Sequence, residues 1–174
     1  MKQVRIYTDG ACSKNPGPGG WGCVLLYHDL KKEISGFEVS TTNQQMELTA
    51  VIKGLQELKE PCEVEIYSDS AYVVDNAQPS VGRVYNWRSN GWTLQSGAPP
   101  KNVELWKEFL DAVKPHRYSF VKVVAHSGDV NNDKCDELAK KGYIEYTLKK
   151  KQESLKRAES RARKVGVNAD KETK

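Results

Sequence analysis

The stretch Val4-Arg5-Ile6-Tyr7-Thr8-Asp9-Gly10 decides how the rest of the chain is read. Val4 and Ile6 alternate with Arg5 and Tyr7, the two-residue period of a half-buried strand. The polar Thr8-Asp9-Gly10 then interrupts that pattern and predicts the strand end. Downstream, the turn Asn15-Pro16-Gly17-Pro18-Gly19-Gly20 leads into a second apolar run over 21–27, and a third strand is expected around 33–39, giving an antiparallel meander. Thr41-Thr42-Asn43 is a helix N-cap cluster, followed by Leu48, Val51, Ile52, Leu55 and Leu58 at helical spacing, so a helix is predicted to about residue 59, before Pro61. A strand over 64–67 ends at Ser68-Asp69-Ser70, and a helix begins near Ala71. Strand, helix, strand in this order predicts parallel pairing of the first and fourth strands.

Residues 80–102 read as irregular, with Trp87, Trp92 and the cations Arg83, Arg88 and Lys101. A helix is expected over 102–113 and a fifth strand over 118–125. The loop His126-Ser127-Gly128-Asp129 then precedes a helix holding Cys135-Asp136-Glu137-Leu138-Ala139.

The chain has 174 residues, the scale of one ordinary domain. A mean hydropathy of −0.68 and the absence of a long apolar run exclude a membrane-spanning helix. The opening residues turn polar after a few positions, which predicts no secretory leader. Four cysteines (Cys12, Cys23, Cys62, Cys135) form no CxxC pair, and three histidines are too few to complete a zinc cage with them. They read as reduced thiols of a cytoplasmic protein, in preference to a Cys12–Cys23 disulfide. Between residues 149 and 174 ten Lys/Arg face four Asp/Glu, a net +6, which leaves 17 against 19 and a net −2 over 1–148. A weak heptad-like seam of Leu148, Leu155, Ala158, Ala162 and Val165 runs into that basic end.

Four carboxylates occupy unusual places. Asp9 and Asp69 stand at the carboxyl ends of predicted strands, where open α/β sheets bind ligands. Glu47 lies at the edge of a helix's apolar stripe, and Asp136 sits near a helix start. Each has an ordinary explanation taken singly: a turn residue, a surface carboxylate reaching for water, a charge favoured by the helix dipole. Gathered together they would hold divalent cations. An oxygen-only donor set favours Mg²⁺ or Mn²⁺ over zinc, and such clusters suit two-metal phosphoryl chemistry.

The ordered set of segments narrows the reading. Tyr7-Thr8-Asp9-Gly10, Asn15 to Gly20, Thr42-Asn43-Gln44-Gln45-Met46-Glu47-Leu48, Ser68-Asp69-Ser70, Asn86-Trp87 with Gly91-Trp92, and His126-Ser127-Gly128 with Cys135 to Ala139 together resemble type 1 ribonuclease H over about residues 1–145. The resemblance implies an α/β fold: a five-stranded mixed sheet, an antiparallel three-strand meander plus two parallel strands, with helices on both faces. It implies cleavage of the RNA strand of RNA–DNA hybrids by two Mg²⁺ ions, with Mn²⁺ as a possible substitute, leaving 5′-phosphate and 3′-hydroxyl ends. Asp9, Glu47, Asp69 and Asp136 match the family's metal-binding carboxylates, and His126 matches its mobile histidine. Asn15, Asn43 and Gln44 match residues facing the minor groove and its 2′-hydroxyls, and Thr42 and Asn102 match positions near a DNA-strand phosphate. Thr42 and Asn43 also read as helix caps.

Two features depart from the family pattern. The protrusion over 88–97 carries one cation where the family often has several, and Trp87 and Trp92 read as packing residues. The basic end lies outside the family core, so residues 1–148 are expected to form the catalytic domain and 149–174 a helical or disordered extension. That extension adds nonspecific nucleic-acid contacts or serves as a solvated end. A non-catalytic hybrid binder and a resolvase- or transposase-type nuclease are the alternatives. The four carboxylates argue against the first, and Asn43-Gln44 with His126-Ser127-Gly128 against the second. The protein is expected to act as a monomer.

Overall fold

The computed structural model describes residues 1–172. Strands β1 (Lys2–Cys12), β2 (Gly17–Tyr27) and β3 (Leu30–Thr41) form the antiparallel meander, and β4 (Cys62–Ser68) and β5 (Arg117–Lys122) complete a sheet of order β3-β2-β1-β4-β5. β1 runs parallel to β4 from Lys2↔Cys62 to Tyr7↔Tyr67, and β4 runs parallel to β5. The mixed sheet anticipated from the sequence is therefore present.

Helices α1 (Asn43–Gln56), α2 (Ala71–Ala77), α3 (Arg83–Ser89) and α4 (Val103–Val113) contribute to the main core, and α5 is the helix Val130–Glu172. That core gathers Val4, Ile6, Leu48, Val51, Ile52, Leu55, Ile66, Trp106 and Phe109. Full burial of each such side chain is worth about 1.5–3 kcal/mol, so α1 is held by its apolar face far more than by helix propensity. On the other face of the sheet Tyr7, Val24 and Cys135 form a smaller cluster, with Tyr7 and Tyr67 stacked at 4.3 Å.

Several boundaries differ from the sequence reading, each for a local reason. β1 does not end at Asp9, because Asp9 to Cys12 continue their pairing with Gly22 to Gly19 of β2. α1 stops at Gln56, where Glu57 and Leu58 donate to carbonyls three residues back and tighten the last turn. The segment read as irregular contains α3. Its only fully buried apolar residue is Val84 and its N-terminal Gly82 offers no side-chain cap, so it carries almost no periodic signal. Trp87 packs edge-on against Trp106 at 6.0 Å, as a packing residue should. β5 ends at Lys122 because its partner β4 ends at Ser68; beyond it the Val123 N–H still reaches the Ser68 carbonyl at 3.0 Å, while Val124 is exposed.

All four cysteines are free thiols, so no Cys12–Cys23 disulfide forms. Among the described residues no helix is long and apolar enough to cross a membrane. The chain divides into two compact units, Met1–Tyr143 and Ile144–Lys174. In the second unit Leu148, Leu155 and Val165 of the heptad-like seam are exposed, and Lys150 pairs with Glu153 at 3.4 Å.

Candidate active site

Bare glycines let the helices approach the sheet closely where the carboxylates meet. A Cβ at Gly10 would stand 2.3 Å from the Glu47 backbone nitrogen, so α1 lies directly on β1 there. On the opposite face a Cβ at Gly22 would stand 2.6 Å from the Cys135 carbonyl oxygen, and one at Gly20 2.0 Å from that of Ala139. Asp9 is paired across the ladder with Gly22, so seating this turn of α5 on β2 carries Asp136 toward Asp9. Asp69 arrives by symmetry of register: Asp9 and Asp69 each lie two residues beyond the last parallel pair, Tyr7↔Tyr67.

These elements bring Asp9, Glu47, Asp69, Asp136, His126 and Asn43 to the wall of one cavity of about 280 Å³, shared with Asn132, Lys140 and Tyr143. Asp9 is 8% exposed. Burial, reinforced by the negative charge of Asp69, pushes its carboxyl up to about 8, against the pull of the Gly10 N–H that donates to Oδ1 at 2.8 Å. Burial likewise raises Asp69, with Asp136 adding to it and His126 opposing it. Glu47 is raised by burial, but each oxygen has a donor: Asn43 Nδ2 to Oε1 at 2.7 Å and Ser70 Oγ to Oε2 at 2.5 Å. Lys140 Nζ donates to Asp136 Oδ2 at 2.8 Å, one helical turn away.

Among the described residues no group of three His, Cys, Asp or Glu side chains is gathered tightly enough to hold an ion. The carboxylates ring the cavity without closing a cage, as mutual repulsion favours. The donor set still fits a hard divalent cation, since it is all oxygen and a positive charge would offset the burial and repulsion that together raise Asp9. Mg²⁺ retains several waters and therefore needs no closed protein cage.

Residues 1–144 match the RNase H family over most of the chain. The chain belongs to the RNase H family. It is 53% identical over 140 residues to the ribonuclease H of Moorella thermoacetica, covering 80% of this chain and 91% of that protein. The type 1 enzyme LC9-RNase H1 superposes with a TM-score of 0.71 at 28% identity, over 80% of this chain and 71% of that one. LC11-RNase H1, solved in complex with an RNA/DNA hybrid, shares the fold at 23% identity and a TM-score of 0.61, over 83% of this chain and 99% of that one. As a ribonuclease H, the protein is a nuclease and a hydrolase.

The candidates for hybrid contact in this RNase H divide into bonded and open groups. Asn15 Oδ1 accepts from the Asn43 N–H at 2.8 Å, and Thr42 caps α1 in a capping box with Gln45. Asn102 Oδ1 accepts from Gln45 Nε2 at 3.1 Å, and its amide donates to the Tyr72 hydroxyl at 2.9 Å. Gln44 is exposed. Of these five, only Asn43 lines the acidic cavity.

Four contributors escaped the sequence reading. Ser70 caps α2 while donating to Glu47, a pairing only the folded chain reveals. Asn132, Lys140 and Tyr143 flank Asp136 at spacings of four, four and seven residues along α5. That one-face pattern was available in the sequence.

Proposed function

We propose that this ribonuclease H cuts the RNA strand of RNA–DNA hybrids internally, leaving 5′-phosphate and 3′-hydroxyl ends, with residues 1–148 as the catalytic domain. The observation that carries this reading is the convergence of Asp9, Glu47, Asp69 and Asp136 on one cavity, with His126 at its wall. The four carboxylates would hold Mg²⁺, two ions in the substrate complex, with Mn²⁺ able to substitute. When bound, the ions polarise the scissile phosphate and make an attacking water more acidic.

The chain's own groups do the rest. Asp9, the most buried of the four, would bind the ions from the central strand. Asn43 and Ser70 fix Glu47 so that its oxygens face the cavity in one orientation. Lys140 balances Asp136 at the rim. His126, on an exposed loop with φ of 56°, moves a proton through its ring nitrogens from the water side to the departing 3′-oxygen. Asn15, Asn43 and Gln44 meet the minor groove, where the 2′-hydroxyl distinguishes RNA from DNA. Thr42 and Asn102 meet a phosphate of the DNA strand, a contact that positions without specifying sequence. The protein works as a cytoplasmic monomer, and the basic extension 149–174 adds sequence-independent attraction for polyanions.

The test is cleavage of end-labelled RNA annealed to DNA, beside RNA and DNA duplexes, with Mg²⁺, Mn²⁺ or chelator. Internal, metal-dependent cuts in the hybrid's RNA alone are expected. Asp9→Asn and Asp69→Asn should each lose about a thousandfold, the equivalent of the several kcal/mol that metal ions contribute to such a reaction. Binding without cleavage under either metal would return the reading to a non-catalytic hybrid binder.

A further inference from the structure

The acidic cavity contains a buried polar atom that the carboxylate chemistry leaves unexplained. Asn132 is 3% exposed and lines the same wall as Asp9, Glu47, Asp69 and Asp136. Its Oδ1 has no hydrogen-bond partner among the described residues. The residue's place is fixed by its backbone, whose N–H donates to Asp129 Oδ1 at 3.0 Å in the first turn of α5. The side chain is therefore not needed to start the helix. Asn132 stands four residues before Asp136, on the same helix face.

An amide oxygen only accepts, so the missing partner must bring a hydrogen or a positive charge. Carboxylates that hold a cation are ionised and can bring neither. The neighbouring cation, Lys140, is committed to Asp136. Leaving a buried acceptor unpaired lowers stability, and such orphan atoms are rare enough in folded proteins to need a cause. A neutral acceptor has one advantage over a fifth carboxylate here: it adds no charge to a site already crowded with negative groups.

We infer that Asn132 is a positioning residue, its Oδ1 accepting a hydrogen bond from a water in the hydration shell of the divalent cation beside Asp136. The inference rests on the reading of the cavity as a metal site. Mg²⁺ keeps several of its waters in protein sites, and groups that bond those waters orient the ion without touching it. Asn132 then acts through the water, and Asp136 remains the ligand from this helix.

The experiment is Mg²⁺ calorimetry on the full chain, together with metal-free Tm values, for wild type, Asn132→Leu and Asn132→Asp. Asn132→Leu should weaken Mg²⁺ binding about tenfold. Its metal-free Tm should stay at or above that of wild type, because an apolar group replaces an unpaired acceptor. Asn132→Asp keeps an acceptor at the same place and should bind Mg²⁺ at least as tightly as wild type. Where leucine disrupts packing, Asn132→Ala provides the same comparison of affinity against Asn132→Asp. Unchanged Mg²⁺ affinity in the leucine or alanine variant, with wild type binding normally, overturns this inference alone. A lowered Tm with unchanged affinity does the same, by assigning the side chain a purely structural role. Absence of Mg²⁺ binding to wild type overturns the metal reading itself, and this inference with it.

Discussion

Ile6 and Asp9 lie three residues apart on β1, both buried, one at 0% and one at 8% exposure, and they answer to opposite demands. Ile6 belongs to the main apolar core, a wall where burial stabilises. Asp9 belongs to a wall where burial and like charge together hold a carboxyl in a state it would not choose in water. The same pair of elements, β1 and α1, serves both: Leu55 at one end of the helix fills the core, while Glu47 near the other faces the cavity. The folding energy comes from the first wall, and part of it is spent on keeping the second one assembled. Site residues should therefore be dispensable for stability, and core residues dispensable for chemistry.

The largest expected effect lies in the core. Leu55→Ala should cost about 2–5 kcal/mol of unfolding free energy, read by denaturant titration, while cleavage per folded molecule stays near wild type. A large loss of turnover in the folded variant would mean the two walls are not separable. Next comes the cavity rim. His126→Ala should slow turnover by about a hundredfold or more and flatten the pH profile, because solvent water replaces a positioned proton carrier. Its denaturant midpoint should not move, since the imidazole sits on an exposed loop. A wild-type pH–rate profile in that variant would remove the proton-transfer role. The smallest effect is expected outside both walls. Truncation after Leu148 should make the fall of hybrid affinity with salt less steep while leaving the rate at saturating substrate unchanged. An identical salt slope would reduce the extension to a solvated helix.

How far the sequence could be read follows the same division. Periodic apolar residues such as Val4 and Ile6, or Leu48 to Leu55, announce β1 and α1 because core burial imposes a period. Three of the four carboxylates were legible because each breaks such a period: Asp9 after a strand pattern, Glu47 at the edge of a stripe, Asp69 after the next strand. Asp136, near a helix start, breaks none and was legible only from the family's ordered segments. α3 was not legible, since a seven-residue helix with one buried apolar side chain imprints no period. The continuation of β1 through Asp9 to Cys12 was hidden for another reason. Its partners are Gly22, Trp21, Gly20 and Gly19, and glycines that admit α5 against β2 look in sequence like a turn. The hydrogen bond from Ser70 to Glu47 joins residues 23 apart and exists only after folding. The face Asn132, Asp136, Lys140 was open to inspection but needed the unpaired Oδ1 to give it meaning.

The most direct test of the two-wall account is the stability of the metal-free protein against pH, for wild type and Asp9→Asn. With the Asp9 carboxyl raised to about 8 in the folded chain, the folded state holds a proton that the unfolded chain releases from about pH 4 upward. Stability from this group is therefore lost as pH rises across that window, and the full penalty stands above it. Asp9→Asn should match wild type near pH 4 and exceed it by about 2 kcal/mol or more above pH 8. Saturating Mg²⁺ should narrow the difference by stabilising wild type more than the variant, which keeps only three of the four carboxylates. A variant no more stable than wild type above pH 8 would contradict the claim that the cavity wall is assembled against the cost of burying the Asp9 charge.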